Sequence, residues 1–119
     1  NSAVASSLKQ AGDALKKGDG QKAANALASA QAELKSLADT AAELAQVQAT
    51  IDNVRAVLDE TGCADDDVVQ AVAYCKTPEV ERLFRSSWGH VPWPRVVAVA
   101  DICREELLFE IEATAVPKT

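Results

Sequence analysis

Apolar residues recur along the first half of this chain in steps of three and four: Leu27, Ala30, Leu34, Leu37, Ala41 and Leu44, then Val47, Ile51, Val54 and Leu58. That spacing lays them on one face of a helix, with Lys35, Asp39, Glu43 and Asp52 off it. Ser2 to Lys17 reads as a shorter first helix stopped at Gly18, and Asp19 is placed to cap a second. No proline interrupts Gln21 to Glu60. Either one long helix runs through, or a break falls near Asp39-Thr40 with Thr40 capping a new start. Thr61-Gly62 ends the pattern, because glycine takes the left-handed conformation at low cost.

Beyond Gly62 the period changes. Val68 to Tyr74 is short and rich in β-branched residues, as a buried strand is. Thr77-Pro78-Glu79 starts a helix: a capping threonine, a proline in the first turn and a carboxylate at the positive end of the dipole. It runs to about Trp88, with Val80, Leu83, Phe84 and Trp88 on one face, and Gly89 closes it. Pro92 and Pro94 exclude regular helix, since each disfavours it for the residue before. Arg95 to Ala100 reads as a strand. Phe109 to Ala115 alternates, with Phe109, Ile111, Ala113 and Ala115 on one side and Glu110, Glu112 and Thr114 on the other. Val96, Val99, Cys103 and Leu107 also share a helix face, but the two-residue period from Phe109 favours strand. The expected class is α+β. A helical arm or hairpin, residues 1–45, precedes a helix–strand–helix–strand–strand unit, residues 46–119.

Of the 119 residues, 48 % are apolar. Many of those in the first half are alanines, so the main core is expected after Leu44, where the larger side chains gather. The net charge of −6 and pI near 4.7 come without any basic stripe, which argues against nucleic acid or an anionic membrane as partner. No apolar run approaches the ~18 residues of a membrane span, and Asn1 to Leu15 do not resemble an intact leader. Cys63, Cys75 and Cys103 are odd in number and lack metal-ligand spacing. Reduced, mostly buried thiols are expected, in a cytoplasmic setting, with no metal and no cofactor. His90 reads as a loop residue, with Trp88 and Trp93 packed beneath that loop.

The stretch Ala49 to Leu58 with Gly62, the strand entry Asp66-Asp67-Val68-Val69, Pro94-Arg95 before a valine-rich strand, and Glu110-Ile111-Glu112-Ala113 together resemble the C-terminal part of the RidA/YjgF superfamily. The resemblance covers a little over half the chain. Its most specific feature is the fifteen-residue step from Arg95 to Glu110. It implies an α/β unit that hydrolyses imines or enamines. Arg95 would bind the carboxylate of a small 2-imino acid through its forked donors, and Glu110 would handle the attacking water. Antiparallel pairing of their strands would bring them to one pocket. Asp101-Ile102-Cys103-Arg104 before Leu107-Leu108 is similar to the chorismatase branch, which places a cysteine seven positions before the glutamate. Cys103 is thus a second candidate catalytic group, although no histidine adjoins it.

One departure is large. The family begins with a β-hairpin and a third strand that contribute a Ser-Gly segment to the pocket, whereas residues 1–45 here are helical in pattern. The resemblance therefore implies a homo-oligomer such as a trimer, or a second chain supplying the missing strands, because an open strand edge invites pairing. The alternatives are a non-catalytic binding or scaffold module that docks a partner on its alanine-rich helices, and a chorismate-processing enzyme.

Overall fold

The computed structural model describes Ser2 to Ile102 and Arg104 to Lys118. The class is α+β. Helix α1 spans Ser2–Lys16 and α2 spans Gly20–Glu60, 41 residues without the break weighed at Asp39-Thr40. Strand β1 (Val68–Cys75), helix α3 (Pro78–Trp88), β2 (Arg95–Val99) and β3 (Phe109–Ala115) follow. Contacts group the described residues into two units, one up to Ala41 and one from Ala42 onward.

The first unit is a helical hairpin. Its buried positions are small: Ser7, Ala11 and Ala14 on α1, and Ala23, Ala26 and Ala30 on α2. The Ser7 hydroxyl donates to Glu33 Oε1 across the hairpin, at 3.0 Å. The turn requires its glycine. Gly18 has φ +74°, which directs Asp19 N–H back to the Ala14 carbonyl at 2.8 Å. The Asp19 carboxylate then accepts from Lys22 N–H at 3.0 Å, so one residue closes α1 and opens α2.

In the second unit Gly62 repeats the device, with φ +75° and Cys63 N–H donating to the Leu58 carbonyl at 2.8 Å. A 3-10 turn, Asp65–Asp67, leads into the sheet, whose strand order is β2-β1-β3. β1 runs parallel to β2 and antiparallel to β3. Thr77 Oγ1 accepts from Val80 N–H at 3.2 Å, the cap expected of a Thr-Pro start. Ala71, Ala73 and Cys75, with Phe109, face a core completed by Val47, Ile51 and Leu58 of α2 and by Val80, Phe84 and Trp88 of α3. The opposite sheet face is open in this chain, and Val96 there is 65 % exposed. Ahead of β3, the Gln46 amide holds the loop: Nε2 donates to the Glu106 carbonyl and Oε1 accepts from Leu108 N–H, each at 3.0 Å.

The entry to the sheet is pinned by charge. Asp65 accepts from Arg55 Nε at 3.3 Å and Nη2 at 3.1 Å, and from Trp93 Nε1 at 3.0 Å. Asp67, 7 % exposed, accepts from Ala64 N–H at 2.8 Å and pairs with Lys118 at 3.2 Å. Hydrogen bonds from Arg55 and Trp93 hold the Asp65 carboxyl below the ordinary value of 3.8, and those from Ala64 and Lys118 do the same for Asp67. Each carboxyl binds its proton more weakly folded than unfolded. The stability it contributes is fully present above pH 3.8 and is lost as pH falls through the lower folded values. Urea unfolding midpoints should therefore drop below about pH 4, and Asp65→Asn should flatten part of that drop. Parallel acid limbs in wild type and variant would contradict the assignment.

Candidate functional site

Strand β3 is one of the sheet's two edges, β2 being the other. Lys76 N–H donates to the Leu108 carbonyl at 3.0 Å, and Val116 N–H to the Asp67 carbonyl at 2.9 Å, so the even-numbered residues turn their backbone groups inward to β1 and its flanks. It follows that Phe109, Ile111, Ala113 and Ala115 turn theirs outward, where no strand of the described residues lies. Their side chains point to the covered face and line a groove of about 390 Å³ with Val54, Val57 and Leu58 of α2. Val57 is 59 % exposed along it. An unpaired edge over an apolar groove is the arrangement that accepts an added strand.

Glu110 stands at the border of two recesses. It lines the rim of the apolar groove, and with Tyr74 and Glu112 it lines a polar recess on the open face. The Tyr74 hydroxyl donates to Glu112 at 3.1 Å. That bond raises the tyrosine's pKa above its ordinary value, and the Glu112 and Glu110 charges add to the effect.

Arg95 lies elsewhere. It opens β2 opposite Ala71, whereas Glu110 of β3 stands opposite Tyr74. Three residues along and two strand spacings across put them roughly 10 Å apart in each direction. They also point to opposite faces: Arg95 shares the face of Ala71, with its guanidinium 5.2 Å from the Phe84 ring centroid, and Glu110 shares that of Tyr74. The antiparallel pairing expected for their strands does not occur. β1, the longest and most apolar of the three, takes the central place, and α3 returns the chain parallel beside it. Arg95 is also occupied. Nη1 donates to the Val91 carbonyl at 2.6 Å and the Trp93 carbonyl at 3.3 Å, and Nη2 to the Gly89 carbonyl at 3.1 Å. The guanidinium therefore staples the loop between α3 and β2.

Cys103 lies outside the described residues. Cys63 and Cys75 are free and buried, and desolvation pushes the Cys75 thiol up to about 11, well away from nucleophile chemistry. His90 is exposed in its turn. Both indoles are buried, Trp88 donating to Gln48 at 3.2 Å and Trp93 to Asp65. Among the described residues no cluster of three or more His, Cys, Asp or Glu side chains could hold a metal ion, and no helix is long and apolar enough to cross a membrane.

Comparison with protein-family models gives no match, and no curated protein matches. Among solved structures, the chain is similar to a candidate endoribonuclease from Thermotoga maritima, with 22 % identity and a TM-score of 0.47. The likeness covers 58 % of this chain and 57 % of that one, so the matched part spans little more than half of that structure's length.

Sequence reasoning missed the Arg55–Asp65–Trp93 cluster. Three consecutive aspartates, Asp65 to Asp67, gave no ground for choosing which one turns inward. It also missed the Gln46 clamp, because a glutamine on a helix face carries no spacing signal.

Proposed function

We propose that the unit from Ala42 onward is a RidA-like subunit that hydrolyses a small 2-imino acid or enamine once another chain has completed its sheet. Glu110 is the water-handling group. Arg95 binds the substrate carboxylate from a different subunit, since the two residues face opposite sides of the sheet. The observation that carries this reading is the position of Glu110, on an unpaired edge strand between an apolar groove and a polar recess. A strand laid along β3 would roof the groove and leave the carboxylate at the rim of a partly desolvated pocket. Such a setting suits a general base. The partner is a further copy in a homo-oligomer such as a trimer, or a second chain that supplies the strand.

The test is ammonia release from a 2-imino acid generated in situ by an amino-acid oxidase. Wild type should accelerate it, and Glu110→Gln should lower the rate by about 10²-fold or more with the unfolding midpoint unchanged. A wild-type rate equal to buffer, in an assembled sample, would sink the proposal. Ala113→Pro tests the edge. It removes an outward N–H that no strand of this chain uses, so the sheet should persist while strand addition and activity are lost.

One observation favours a second reading, a non-catalytic binding module: three donors of Arg95 are already taken by loop carbonyls. Under that reading Glu110→Gln and wild type both run at the buffer rate while assembly survives.

A further inference from the structure

Five leucines of the first unit are exposed, and all of them but Leu37 fall in one row. Leu8, Leu15, Leu27 and Leu34 are 51, 63, 45 and 53 % exposed. Each directly follows a residue of the helix–helix seam: Ser7, Ala14, Ala26 and Glu33. One residue further along an α-helix is about 100° further round. Because the two helices run antiparallel, that same right-handed step carries all four side chains to one side of the hairpin. The Ser7–Glu33 bond fixes the register, and down the hairpin the leucines then alternate between helices as Leu34, Leu8, Leu27, Leu15.

Within each helix the pair is seven residues apart, the repeat of a helix-bundle seam. Gly12 and Gln31 fill the spaces between them. The nearest charges, Lys9, Lys16 and Lys35, lie about a quarter-turn away, where they flank the row without interrupting it.

We infer that this face is a contact between two copies of the chain, which pack hairpin on hairpin into a four-helix bundle. The face offers no charge and no unpaired backbone, so a charged or an extended partner finds no counterpart there. An alternating row of leucines with a seven-residue period is matched by the same row turned through a two-fold axis. The area fits a modest dimer. Four half-exposed leucines supply on the order of 400 Å² per copy, and flanking alanines and lysine stems bring the total toward the ~1,200 Å² at the lower end of specific interfaces. This contact is independent of the proposed hydrolase and of the sheet edge.

Sedimentation equilibrium of the full chain across the micromolar range tests it. With sheet-edge association blocked by Ala113→Pro, the apparent mass should rise from 12.6 kDa to twice that value. Leu8→Lys with Leu27→Lys, both at exposed positions that leave the seam intact, should keep the helical circular dichroism and weaken association at least about 100-fold (roughly 2.7 kcal/mol). Ala113→Pro should still dimerise. The inference is overturned by a wild type that stays at 12.6 kDa, by a leucine variant that associates as strongly as wild type, or by a dimer that Ala113→Pro abolishes.

Discussion

Phe84→Ala should lower the unfolding free energy by about 3–5 kcal/mol, read as a lower urea midpoint at unchanged slope. Phe84 is 1 % exposed and sits where α3 meets the sheet. Its ring centroid lies 4.9 Å from that of Phe109, tilted by 36°, an arrangement that contributes about 0.5–1.5 kcal/mol beyond burial. Its other face carries the Arg95 guanidinium. Truncation removes the ring's contacts, strips Phe109 of its partner and opens a void that the β1 backbone cannot close. Domains of this size hold only about 5–15 kcal/mol in total, so the loss is a large fraction of the whole. A loss below about 1 kcal/mol would mean that α3 repacks, contrary to the interlocked core seen here.

Arg95→Ala should cost about 2 kcal/mol, because it frees three loop carbonyls from a charged donor. Arg95→Lys should recover only a part. A single ammonium cannot span the Gly89, Val91 and Trp93 carbonyls as a planar fork does. This bears on how activity is read. A fall in imine hydrolysis on replacing Arg95 mixes lost loop geometry with lost substrate binding, whereas Glu110, exposed on the open face, reports on chemistry alone. Rates for Arg95 variants need scaling to the folded fraction. If scaling restores them to wild type, Arg95 has no role in binding the carboxylate.

Local rules carried most of the fold. Gly18 and Gly62 sit where only a left-handed residue closes the helix, and Thr77-Pro78 caps α3 through Val80 N–H. The alternation from Phe109 to Ala115 matches β3 residue for residue. These features depend on neighbours within a few positions, which is why composition and spacing could show them. Strand order was not legible in the same way. Nothing local to Arg95 or Glu110 announces that β1 will lie between their strands, since that depends on where β1 finds the most apolar cover and on α3 returning the chain beside it. The candidate site suffered accordingly. Its residues could be named from the family resemblance, but their faces are fixed by register with a third strand. Leu27 and Leu34 were legible on a helical face shared with Ala30. That Ala30 would be buried and the leucines left outside was not.

The Gln46 amide makes the loop ahead of β3 sensitive to the replacement of one atom. It donates through nitrogen to one carbonyl and accepts through oxygen from one N–H sixty-two residues away. Hydrolytic ageing of this side chain to glutamate would swap the donating nitrogen for a second acceptor and set a negative charge against the Glu106 carbonyl. The loop ahead of β3 would then be pushed off α2 by a change of one dalton.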